Sequence, residues 1–223
     1  NFFFFNKLFL IFAFFIIIDS NAQQLKVDYE LKRDVASAHK DFSPEFREKV
    51  KTSEEVSEKF VLYYSNGDSF FKSFPKPSVQ HENAPVKVGN TTTYLAEVYK
   101  IAPILIYKKK GDDYFYAYHT EDGKEFYKKS KLFLTSVDYK EETQKIDAFV
   151  CKLVEVTTKN GDVIKIWYTE EMPISTGPFA YGDFPGLVLK IEAPTFLMYA
   201  TKISKDFKES ELEKINPKLP IEK

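Results

Sequence analysis

The chain has 223 residues, with 32 basic against 33 acidic side chains and a net charge of −1. That balance argues against a nucleic-acid binder, which carries a basic excess. Cys151 is the one cysteine, so no intramolecular disulfide forms and the core must hold the fold unaided.

The chain opens on NFFFFNKLFLIFAFFIIIDSNAQQ. Lys7 gives a positive start, Leu8 to Ile18 an apolar run, and Ser20-Asn21-Ala22 small residues before a cleavage point. Residues 1–22 are therefore expected to be a signal peptide, cleaved near Ala22-Gln23, with export to the periplasm or the exterior. An N-terminal anchor is the alternative, but the run falls short of the roughly 20 apolar residues that span a bilayer. The mature chain is expected to carry no transmembrane segment and to form one domain over residues 23–223.

Period-two alternation dominates the mature chain. In QLKVDYELK, Leu25, Val27, Tyr29 and Leu31 share one face against Lys26, Asp28, Glu30 and Lys32, as a half-buried strand requires. DFSPEFREKVKTSEEV is the helix candidate, with Ser43 at the N-cap and Pro44 at the first helical position. KFVLYYSNGDSFFKSF reads as a hairpin turned at Asn66-Gly67. Residues 75–93 read as a loop. TYLAEVYKIAPILIYKKK returns to strand, interrupted near Pro103. Further hairpins are expected around Asp122-Gly123, Asn160-Gly161 and Ala193-Pro194, and the charged tail ends in a short helix and a proline-punctuated stretch. Successive hairpins with short connections imply a mainly β protein. The expected fold is a single antiparallel, curved sheet, a half-barrel or a sandwich, with one or two short helices.

The residues that carry chemistry are sparse. His39, His81 and His119 lie on different elements with no metal-ligand spacing, so no metal and no cofactor are expected. Cys151 sits inside a strand and reads as a buried, inert thiol. No nucleophile elbow and no phosphate-cradling glycine loop occur. Tyr114, Tyr116 and Tyr118 share a face, either as a packing layer or as a binding platform.

The densest cluster of glycine and proline is GPFAYGDFPGLVLKIE. Pro173 and Pro178 stop a strand after Trp167. Pro185-Gly186 fits the centre of a type II turn, with Gly186 at positive φ, and Leu187, Leu189 and Ile191 then start a new strand. These residues resemble the GLPGLI family, secreted proteins typical of Bacteroidetes-type bacteria. The family's name motif falls on Asp183–Val188, with Asp183 for Gly, Phe184 for Leu and Val188 for Ile. Trp167, Thr169, Pro173, Gly177 and Pro178 match the preceding motif positions. The resemblance implies export and no established enzymatic activity, and it singles out Trp167, Gly177, Pro178, Phe184, Pro185 and Gly186 as candidate binding residues.

The function expected from these signals is an exported, non-enzymatic binding or carrier module of the cell envelope, taking an apolar ligand or an envelope protein. The competing expectations are a hydrolase using Asp183 and Glu170 with Trp167 as a substrate platform, and a purely structural module that adds a partner strand at an exposed edge.

Overall fold

The computed structural model describes residues 24–33, 57–74, 85–88, 91–94 and 103–223. The expected signal peptide and the helix candidate at Ser43–Val56 lie outside the described residues. The strands in chain order are β1 (Gln24–Arg33), β2 (Glu58–Ser65), β3 (Asp68–Ser73), β4 (Pro85–Val88), β5 (Thr91–Tyr94), β6 (Leu105–Lys108) and β7 (Phe115–Glu121). They continue as β8 (Lys124–Ser130), β9 (Leu134–Ile146), β10 (Phe149–Thr158), β11 (Val163–Thr169), β12 (Leu187–Ala193), β13 (Phe196–Ser204) and β14 (Ile221–Glu222).

Twelve of these strands form one open sheet in the order β14-β8-β7-β6-β3-β2-β1-β13-β12-β11-β10-β9. The fold is mainly β, as expected, but the sheet is mixed because β14 runs parallel to β8. β4 and β5 pair as a separate hairpin within the stretch expected to be a loop. The helical content among the described residues is the single 3-10 turn Glu209–Glu211.

The hairpin turns follow local chemistry. Asn66 and Gly67 take φ values of 54° and 103°, and Asp122 and Gly123 take 50° and 74°, the left-handed pairs that match the twist of two-residue hairpins. At Asn160-Gly161 only the glycine is left-handed, at 88°, and the Thr158 N–H reaches the Asp162 carbonyl at 2.9 Å, giving a wider turn.

β1 lies at the centre of the sheet, and its alternation sorts the two faces. Leu25, Val27, Tyr29 and Leu31 are buried. Register carries their face outward on both sides. Val27 pairs with Leu62, and Leu62 with Phe71; Leu31 pairs with Met198, Met198 with Ile191, and Ile191 with Ile166. These residues belong to one apolar cluster, the larger of two among the described residues. The second cluster lies on the opposite face and is aromatic: Tyr63, Phe70, Tyr107, Tyr116 and Tyr127. Phe70 stacks on Tyr107 at 4.7 Å, and Tyr127 meets Tyr107 edge-on at 5.5 Å. Phe207, Leu212, Ile215 and Leu219 of the C-terminal segment cover it. The Tyr63 hydroxyl donates to Glu211 at 3.3 Å, and the Asn216 N–H donates to the Tyr127 hydroxyl at 3.0 Å. The tyrosine row of β7 is thus a packing layer: Tyr116 is buried, and its hydroxyl donates to Asp112 at 2.5 Å.

Candidate functional site

Between β11 and β12, residues 170–186 leave the sheet and return, and the candidate site is built on them. Two prolines shape the exit and the re-entry. The Ile174 N–H reaches the Met172 carbonyl at 2.7 Å across Pro173, and the Gly186 N–H reaches the Phe184 carbonyl at 2.7 Å across Pro185. Both are three-residue γ-type turns centred on proline. The Leu187 N–H also bonds to the Met172 carbonyl at 3.2 Å, so the two turns are tied together. Thr176 bridges Leu187, with the Val188 N–H donating to the Thr176 carbonyl at 3.0 Å.

This geometry corrects the expectation at Gly186. Its φ is not in the left-handed region, and the turn is not type II. A Cβ at Gly186 would lie 2.0 Å from the Thr169 carbonyl oxygen, so the position is glycine because two backbones touch there. Gly177 has the same reason: a Cβ would lie 2.2 Å from the Tyr181 carbonyl oxygen and 2.7 Å from Val188 Cβ. Both glycines are buried, as are Pro178 and Phe184, while Pro185 is exposed. Phe184 stacks on Tyr168 at 6.2 Å.

The middle of the segment crosses to the strands on the far side. Phe179 packs its ring against Phe71 of β3 at 5.0 Å, Phe60 of β2 at 5.7 Å and Phe196 of β13 at 6.0 Å. Asp183 pairs with Lys108 of β6. Below this bridge the hydroxyl of the buried Tyr29 donates to the Val188 carbonyl at 2.6 Å, and burial pushes that phenol far above its ordinary range. The segment is therefore a plug, bolted at its ends and laid over the apolar face of the sheet. Phe179 is also the plug's point of strain. Its φ is +55° in a turn closed by the Tyr181 N–H to the Pro178 carbonyl at 3.1 Å. A bulky aromatic residue in that region costs on the order of 1–3 kcal/mol.

Trp167 does not stand free as a platform. It is 9% exposed, its indole N–H donates to Glu192 at 3.0 Å, and the Lys190 ammonium lies 6.0 Å from its ring. Lys190 in turn pairs with Glu192 at 2.6 Å; although burial opposes ionisation, this contact leaves the Glu192 carboxyl below its ordinary value. The carboxylates suggested for hydrolysis are each engaged by a lysine: Glu170 by Lys152 at 2.7 Å, and Asp183 by Lys108. Glu171 accepts the Val150 N–H at 2.7 Å. Cys151 is fully buried, and desolvation pushes its thiol up to about 11. Among the described residues, no three of His, Cys, Asp and Glu come together as a metal site.

The family described as "N-glycanase peptide, N-terminal domain" matches residues 104–220. The chain belongs to this family. The match contains the whole plug, the strands β11 and β12 on either side of it in the chain and the segment that covers the tyrosine layer. Two structures titled for PNGF-II, in space groups C2 and P21, share the fold, with TM-scores of 0.55 and 0.56 at 14% and 15% identity. Each covers 91% of this chain, which spans only about a third of the PNGF-II chain, 31% and 32%. No curated protein matches.

Within this family match, reading the sequence located the plug but missed Phe179, its central side chain. Position 179 follows Pro178 and carries no local mark of a left-handed conformation, which glycine or asparagine would have supplied. Phe60, Phe71 and Phe196 come from three separate strands, which the sheet order β3-β2-β1-β13 sets close together.

Proposed function

We propose that this protein is a non-catalytic, exported binding module of the cell envelope, and that it takes an apolar ligand on the face now covered by residues 178–183. The observation that carries the proposal is Phe179: a residue held at a strained backbone φ puts its ring into a box of aromatic rings. A ligand displacing it would replace those ring contacts and release the strain. The GLPGLI-like motif then acts as hinge and bolt, with Gly177 and Gly186 letting the ends of the plug close against β11 and β12. The family placement supports a modular role, since the chain corresponds to about a third of a larger N-glycanase-type protein. The lysine pairing of Asp183 and Glu170 favours binding over hydrolysis as the role of this region.

The test uses N-phenyl-1-naphthylamine, whose fluorescence rises in apolar surroundings. The protein is expected to bind it saturably. Phe179→Ala, which leaves an apolar void among three phenyl rings, is expected to bind it more tightly. A folded protein and a folded variant that both fail to bind the probe would end this reading.

A further inference from the structure

The plug touches the far strands with a charge as well as a ring. Asp183, which follows Phe179 on the same segment, pairs with Lys108 of β6. Lys108 stands on the face of the sheet that carries the aromatic box. Ile106 and Lys108 lie opposite Phe71 and Ser69 of β3. Side chains two apart on a strand share a face, and so do those directly opposite across two strands. Phe71 is the ring that Phe179 meets at 5.0 Å, and it stacks on Phe60 at 5.3 Å. Ile106 packs against the same apolar cluster. Lys108 is therefore two residues, roughly 7 Å, along β6 from the position beside Phe71. Its side chain is 26% exposed against 67% for Asp183, so the sheet holds the ammonium and the carboxylate comes to it from the solvent side.

The plug thus brings two groups to this face, an apolar ring and a carboxylate. Lifting residues 178–183 withdraws both. A neutral apolar ligand would replace the ring contacts and leave Lys108 without the Asp183 carboxylate. An anionic one would replace both. An ion pair this exposed contributes little stability, so exchanging one carboxylate for another is nearly balanced and the pair does not lock the plug shut.

We infer that the ligand is an amphiphile with one anionic group, whose apolar part takes the place of Phe179 in the aromatic box and whose anion takes the place of Asp183 on Lys108. This rests on the proposed displacement of the plug.

The experiment compares decanoate with decanol, both below their aggregation limits, by calorimetry at low salt. Decanoate is expected to bind about fivefold more tightly, the worth of one partly exposed ion pair. Lys108→Gln is expected to remove that preference, because neither the closed plug nor the ligand then has a cation to pair with. Lys108→Arg is expected to keep it. Asp183→Asn is expected to strengthen both ligands by a similar factor, since it weakens only the closed state, and to leave the preference intact. A preference for decanoate that survives Lys108→Gln would overturn the anion assignment while the apolar site stands. So would Asp183→Asn with both affinities unmoved. N-phenyl-1-naphthylamine binding to the unaltered protein while decanoate and decanol both fail would overturn the amphiphile assignment alone. Failure of all three would overturn the binding function with it.

Discussion

Gly186→Ala tests the reason for the glycine in the proline-glycine joint. An added Cβ would sit 2.0 Å from the Thr169 carbonyl oxygen, 2.7 Å from its carbon and 3.2 Å from Glu170 Cα. All three are backbone atoms, so no side chain can rotate away. Relief requires about 1 Å of backbone movement where Thr169 pairs with Leu187, and both residues are fully buried. Forced overpacking of this kind costs about 3 kcal/mol, at the upper end of the usual range. For a domain of this size that lowers the melting temperature by about 6–12 °C. The assay is thermal and urea unfolding followed by circular dichroism. Gly186→Asn separates two explanations. Asparagine tolerates a left-handed backbone, so it would rescue alanine's loss if φ were the constraint. Under backbone contact it should be at least as damaging as alanine. An unchanged melting curve for Gly186→Ala, or a milder loss for asparagine than for alanine, would refute the contact argument.

Phe179→Gly should be more stable than Phe179→Ala, reversing the usual order, because glycine takes φ of +55° without strain while both lose the same ring contacts; paired urea melts decide it, and alanine proving the more stable would count against the strain. Tyr29→Phe removes the 2.6 Å hydrogen bond to the Val188 carbonyl and leaves that buried acceptor short of a partner. It should cost about 1–3 kcal/mol in the same melts. Cys151 should react slowly with iodoacetamide in the folded protein at pH 8, with labelling rising steeply only as pH approaches about 11. The unfolded thiol ionises near its ordinary value of 9.0, below the folded value, so the unfolded state releases its proton first. The stability held by the neutral thiol is therefore complete below pH 9 and declines between about 9 and 11. A melting temperature that rises across that interval would contradict the burial.

The strands that were legible are those whose two faces meet different surroundings. β1 alternates because its Leu25, Val27, Tyr29 and Leu31 face is covered while Lys26, Asp28 and Glu30 lie only partly exposed on the other. β9 gave little signal although it has 13 residues, since it is an edge strand with Val137, Tyr139 and most of its charged residues all exposed. Charges on such an edge serve to discourage further pairing. β2 shows a run rather than an alternation at Phe60–Tyr63, because the plug side and the C-terminal segment bury both of its faces. The candidate residues divide in the same way. Gly177, Pro178, Phe184 and Gly186 were recognisable as a joint from composition, but the force on Gly186 comes from the Thr169 backbone and not from its own φ.

By itself the sequence determined the β class, the hairpin turns and the place where the chain leaves the sheet, since these depend on neighbours within a few residues. The tertiary structure alone decided that this excursion is a plug and that Phe179 rather than Trp167 is its central aromatic. Those facts depend on which strands lie side by side in the sheet. Phe60, Phe71, Phe179 and Phe196 are scattered over more than a hundred residues of chain, and no local pattern records their meeting.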